Sequence, residues 1–225
     1  MNLSNLYPTK FNFKLFFSIF FIFRQHNFTG QTSPIKLENS KALQRTFALL
    51  VILVLGLHSL SAQTQLGADI DGELPGDQSG NSVSLSADGT RVAIGAQNND
   101  GNGNLSGHVR IYQNDGNNNW LQLGMDIDGE AESDYSGISV SLSADGTTVA
   151  IGAFTNDGNG LNSGHVRVFR FDGTNWVQLG ADINGKNAAH WFGLSVGINH
   201  NGNLVAIGAP QGGANSVGIY SFDGS

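Results

Sequence analysis

The chain has 225 residues, with 31 glycines, four prolines, no cysteine and a formal charge of −7. The absence of cysteine excludes disulfides, thiolate catalysis and Cys-ligated metals. Residues 1–62 carry six Lys/Arg against one Asp/Glu, and residues 63–225 carry five against seventeen, so the body is acidic; that argues against nucleic-acid backbones and anionic membranes as partners and admits cations.

Lys41 to Arg45 is a basic lead, Phe47 to Leu57 an apolar run, and Ser59-Leu60-Ser61-Ala62 a small-residue exit. This order predicts a secretory signal peptide cleaved after Ala62, with a mature chain from Gln63. The run is short of the roughly 20 residues of a bilayer span, so no stable span is expected after cleavage; a retained anchor helix is the other reading. An earlier apolar stretch, Phe11 to Phe23, is unusual before a signal peptide and reads as an over-extended start of translation.

From Gln65 onward the sequence repeats itself. Gln65-Leu66-Gly67-Ala68-Asp69-Ile70 returns at Gln122 and at Gln178, spacings of 57 and 56 residues. Within each unit, Ser79 to Ala96 is rewritten almost unchanged as Ser136 to Ala153, and more loosely as Phe192-Gly193-Leu194-Ser195-Val196 followed by Leu204 to Pro210. Self-similarity at this period marks a solenoid, propeller or array. The units run at about 65–121, 122–177 and 178–225, inside a domain of 63–225.

The second unit predicts strands at Ile138–Ser143, Thr148–Ala153, His165–Phe171 and Asn175–Leu179, each bounded by Gly, Asn or Asp. Ala144-Asp145-Gly146-Thr147 is a tight hairpin, matched by Ala87 to Thr90 and His200 to Asn203. In Thr148–Ala153, Val149 and Ile151 alternate with Ala150 and Gly152, so one side is branched and the other bare enough for a second sheet to come close. Four antiparallel strands per unit and no helical pattern after residue 62 predict an all-β fold, a β-propeller of four-stranded blades with about three present; a β-solenoid is the runner-up. Closed propellers need more blades than three, which reads as a chain continuing into further blades, or as an open or oligomeric assembly completed by Thr64 to Gly67.

Phe192-Gly193 followed by Gly208-Ala209-Pro210 resembles the FG-GAP repeat, the blade unit of integrin alpha-chain propellers and of many secreted bacterial proteins. The other two units hold Ser-Gly, and Gly-Ala-Gln or Gly-Ala-Phe, at the matching places. The resemblance implies a secreted or cell-surface setting, a bacterial one here, and loops at one end of the ring that carry contacts. It also implies a calcium loop of the D-x-D-x-D-G kind between the first two strands, but in this sequence that loop has shrunk to Asp88-Gly89, Asp145-Gly146 and Asn201-Gly202, with too few oxygens for the ion.

Two other loops are oxygen-rich. Asp100, Asn102 and Asn104 alternate in the first unit, and Asp157 and Asn159 repeat the first half of that pattern in the second; either these are weak calcium ligands or the loops are held by Asx-turns. Asp69-Ile70-Asp71-Gly72-Glu73 and Asp126-Ile127-Asp128-Gly129-Glu130 read as linker turns that could add carboxylates. His108 and His165 fall on equivalent strand positions, where packing or hydrogen bonding is the expected role. Trp120 and Trp176 read as blade packing, and Trp191 as the aromatic positioned for ligand contact. Gly193-Leu194-Ser195-Val196-Gly197 matches a nucleophile elbow in letters only, since a strand follows where a helix is required.

The expectation is a non-catalytic secreted or surface propeller that binds an extracellular protein or glycan, in adhesion or a similar role. The alternatives are an accessory module of a longer extracellular enzyme and a purely structural surface component.

Overall fold

The computed structural model describes residues 63–211 and 215–222. The signal-peptide reading and the Gly212-Gly213-Ala214 segment lie outside those residues. Among the described residues there are thirteen strands and no helix. The fold is all-β, in three consecutive antiparallel sheets, one per sequence unit.

The first sheet orders β1 (Ser79–Leu85), β2 (Arg91–Ala96), β3 (His108–Asn114) and β4 (Trp120–Gln122), with the short β5 (Ile127–Asp128) also paired to β3. The second repeats it with β6 (Ser139–Leu142), β7 (Thr148–Ala153), β8 (His165–Phe171), β9 (Trp176–Gln178) and β10 (Ile183–Asn184). The third has β11 (Ser195–Ile198), β12 (Leu204–Ala209) and β13 (Ser216–Ser221). The predicted middle strands of the second unit match β7 and β8 end to end, while the outer two are each one residue shorter at either end. The first sheet spans Ser79 to Asp128, so it runs past the unit boundary at 121/122. The repeated Trp-x-Gln-Leu-Gly phrase therefore closes one blade and leads into the next.

Asp145 secures its hairpin by accepting from Ser143 Oγ at 2.7 Å and the Thr147 backbone N–H at 3.0 Å, while Gly146 takes φ +68°. Asp88 does the same in the first unit, accepting from Ser86 Oγ at 2.6 Å and Thr90 N–H at 3.0 Å.

The sheets stack face to face. Ala93, Val109 and Ile111 of the first meet Leu142, Val149, Ile151 and Phe169 of the second. The opposite face of the second, Ala150, Val166 and Val168, meets Val205, Ile207 and Ala209 of the third around Phe192. The alternation read from β7 thus has a direction: its branched side packs back on the preceding sheet and its bare side receives the following one. A Cβ on Gly152 would run into the Gly193 carbonyl oxygen and Ser139 Oγ, and one on Gly95 into the Gly137 carbonyl and Ser82 Oγ. Serines bridge the same seams: Ser82 Oγ donates to the Gly137 carbonyl and Ser139 Oγ to the Gly193 carbonyl, both at 2.7 Å.

The outer strands bear the tryptophans as predicted. Trp120 Nε1–H donates to the Leu66 carbonyl at 2.9 Å and Trp176 Nε1–H to the Leu123 carbonyl at 2.7 Å, so each indole ties its strand to the opening phrase of its own repeat unit.

Candidate ligand-binding rim and its acidic histidine clusters

The starts of β1, β6 and β11, the ends of β2, β7 and β12, and the starts of β3, β8 and β13 share one end of the stacked sheets, because neighbouring strands are antiparallel. Trp191, the Asp100 and Asp157 loops, and both strand histidines lie at this end.

Three residues in the left-handed region enter the first strands here: Gln78 (φ +57°), Tyr135 (φ +54°) and Trp191 (φ +53°). They occupy one repeat position, just ahead of Ser79-Gly80, Ser136-Gly137 and Phe192-Gly193. Non-glycine residues adopt this conformation at a cost, typically at sites where the surrounding structure fixes them. In the second and third units the position is aromatic. Tyr135 lies 5.8 Å from Phe154, and Phe154 lies 5.5 Å from Trp191 at 83°. The three rings form a strip across the seam, each half-buried. In the first unit the corresponding pair is polar, Gln97 Nε2 donating to Gln78 Oε1 at 2.6 Å. Trp191 was legible in the sequence as an isolated aromatic. Tyr135 and Phe154 were missed, and their signal was that both depart from glutamine at matched repeat positions.

The oxygen-rich loops are held by Asx-type hydrogen bonds. Asn99 Oδ1 accepts from Gly101 N–H at 2.8 Å and Asp100 Oδ1 from Leu105 N–H at 2.8 Å; Asn156 Oδ1 and Asp157 Oδ1 repeat this with Gly158 and Asn162. Asn102 Nδ2 donates to the Gly129 and Glu130 carbonyls, and Asn159 Nδ2 to those of Gly185 and Lys186, which ties each loop to the following linker. Asn104 contributes its backbone carbonyl, accepting from Ser133 N–H at 2.9 Å.

The linker carboxylates converge on the strand histidines. His108 Nδ1 lies 3.9 Å from Glu73 Oε2 and 3.9 Å from Asp126 Oδ2. His165 Nδ1 lies 3.7 Å from Glu130 Oε2, and Asp182 completes that group. An arginine two residues on takes the other oxygen of each glutamate, Arg110 at 3.6 Å from Glu73 Oε1 and Arg167 at 3.7 Å from Glu130 Oε1. Burial holds His165 down at about 4, with Arg167 adding to the effect, and burial likewise lowers His108. Both rings are therefore neutral at pH 7. The two histidines are not brought together, as their equivalent places in neighbouring blades imply, but each gathers its own pair of carboxylates.

Positioning comes from the linker turns. Asp134 Oδ2 accepts from Ala131 N–H and from Asn156 Nδ2, both at 3.0 Å, and Asp77 Oδ2 repeats this with Leu74 N–H at 3.3 Å and Asn99 Nδ2 at 3.0 Å. These turns set Glu73 and Glu130 over the strand starts.

The FG-GAP repeat profile matches residues 127–169. Residues 127–169 carry an FG-GAP repeat. The match covers β5 through most of β8, the central unit in which the Phe-Gly and Gly-Ala-Pro letters are both altered. No curated protein matches the sequence. Among solved structures, the chain is similar to one in a complex of KlAtg21 with the coiled-coil of AgAtg16 (TM-score 0.45, 14% identity, 64% of this chain and 40% of that one). Similar too are hydrazine synthase of Kuenenia stuttgartiensis (TM-score 0.42, 12% identity, 71% and 36%) and TolB of Acinetobacter baumannii (TM-score 0.40, 10% identity, 64% and 30%). The chain thus spans well under two thirds of the length of each. Among the described residues, no helix is long and apolar enough to cross a membrane.

Proposed function

We propose that this protein is a non-catalytic binding module, secreted or displayed on a bacterial cell surface, that engages an extracellular glycan or protein in adhesion. The observation that carries the reading is the half-buried strip of Tyr135, Phe154 and Trp191 at one end of the sheets. Rigid aromatic rings offer large contact area at low entropic cost, and their faces suit both the C–H faces of sugars and apolar side chains. Loops at one end of a rigid scaffold are the usual place for such contacts. The export pattern over residues 41–62 supports the extracellular setting. Asp100, Asn102, Asn104, Asp157 and Asn159 are the calcium ligands of this reading, and a thermal midpoint raised by calcium tests them.

The test of the binding role is a screen of the full chain against immobilised glycans and extracellular-matrix proteins, with Trp191→Ala and Phe154→Ala alongside and folding followed by circular dichroism. Saturable binding that both variants weaken supports the module. Binding untouched by both variants, or none across the screen, sinks it.

A further inference from the structure

His165 is 99% buried by its side chain, yet neither ring nitrogen has a hydrogen-bond partner. A polar group so buried normally finds a partner, and an orphan calls for an explanation. Its Nδ1 faces Glu130 Oε2 at 3.7 Å, beyond hydrogen-bond reach, with an Asp182 oxygen within 4.8 Å of both. An imidazole nitrogen and two carboxylate oxygens thus lie within 4.8 Å of one another, and no hydrogen bond satisfies the nitrogen.

We infer that Glu130, His165 and Asp182 bind a divalent transition-metal ion of the zinc type, and that Glu73, His108 and Asp126 form a second, equivalent site. Zinc takes imidazole nitrogen and carboxylate oxygen at about 2.0–2.2 Å, which puts tetrahedral donors roughly 3.4 Å apart. A small inward turn of Glu130, whose side chain is 41% exposed, closes the 3.7 Å separation from His165, and Asp182 must likewise draw in from within 4.8 Å. Arg167 occupies Oε1 of that glutamate and leaves Oε2 aimed at the histidine, an outer contact of the kind that orients metal-binding carboxylates. Exposure of Glu130 leaves a mouth for water or a ligand oxygen as fourth donor.

The repeat argues for a joint role. In the third unit Lys186 replaces the glutamate and Ser216 replaces the histidine, so the donors are lost together. Zinc fits better than calcium because the central donor is a nitrogen, whereas calcium takes oxygens in greater number. The sites are separate from the Asp100 and Asp157 loops.

The test is calorimetric titration of the chelator-treated full chain with zinc chloride, with calcium chloride as a parallel arm and metal content checked after dialysis. Two equivalents of zinc are expected, falling to one in His165→Ala and to none in His165→Ala/His108→Ala. Asp182→Asn and Asp126→Asn remove donors nearer the surface and each should weaken its site at least tenfold, which keeps the inference testable if the histidine variants misfold. Cobalt should give a visible band of tetrahedral strength. Zinc uptake unchanged in all four variants, or no saturable uptake, overturns the inference, and so does calcium displacing zinc at equal concentration.

Discussion

Trp191 stands edge-on to Phe154 across the seam between the second and third sheets, with ring centroids 5.5 Å apart and planes at 83°. One ring belongs to the turn entering β11 and the other follows the end of β7, so two repeat units compose one surface. If this surface is the binding strip, Trp191→Ala should weaken ligand binding by about tenfold or more, the cost of roughly 1–2 kcal/mol that a central aromatic contact carries. Intrinsic fluorescence during titration reads it directly. A shift in the tryptophan emission on binding that disappears in Trp191→Ala, with Trp120 and Trp176 intact, is the expected result.

The seam between sheets is set by an absent side chain. Gly152→Ala puts a Cβ against Ser139 Oγ, which can rotate away, and against the Gly193 backbone carbonyl, which cannot retreat without opening the stack. A loss of about 1–3 kcal/mol is expected, as for other overpacked interiors. Ser139→Ala only removes the hydrogen bond to the Gly193 carbonyl and should cost about 1 kcal/mol. Urea midpoints should fall in the order wild type, Ser139→Ala, Gly152→Ala.

Repeat equivalence does not mean energetic equivalence. Leu142 is 6% exposed in the seam between the first two sheets, while Leu85, at the same repeat position, is 61% exposed on the outer flank of the first sheet. Leu142→Ala should cost about 2–5 kcal/mol. Leu85→Ala should stay within about 0.5 kcal/mol. Equal destabilisation by the two in denaturant titrations would show that the outer flank is covered in solution.

The hairpin aspartates set an acid limit. Hydrogen bonds from Ser86 and from the Thr90 backbone and side chain hold Asp88 at about 2, below its ordinary 3.8. A depressed carboxylate contributes stability that is complete above its unfolded value and lost as pH falls through the folded one. The contribution of Asp88 therefore disappears between about pH 4 and pH 2. Asp145 is lowered too, through its bonds to Ser143 and Thr147 outweighing partial burial. Asp88→Asn keeps an acceptor oxygen without the charge, so its midpoint should change less steeply with pH in that window than the wild type does.

The sequence by itself determined the repeat, the strands and the hairpins, because each is written within a few residues. Val149 and Ile151 alternating with Ala150 and Gly152 specify a strand, and Asp145-Gly146 specifies its turn, through local sterics and hydrogen bonds that need no distant partner. The glycine side of β7 also announced a close neighbour. Only the tertiary structure decided which sheet that neighbour is, and which residues from different units meet. Tyr135, Phe154 and Trp191 are up to 56 residues apart, and Glu130, His165 and Asp182 span 52. Their meeting depends on the stacking of one sheet on the next and on linker turns pinned by Asp77 and Asp134, neither of which leaves a local signature. His108 and His165 looked like strand packing because burial and an alternating pattern are legible at short range. The carboxylates gathered against them arrive from the turns on either side of the blade.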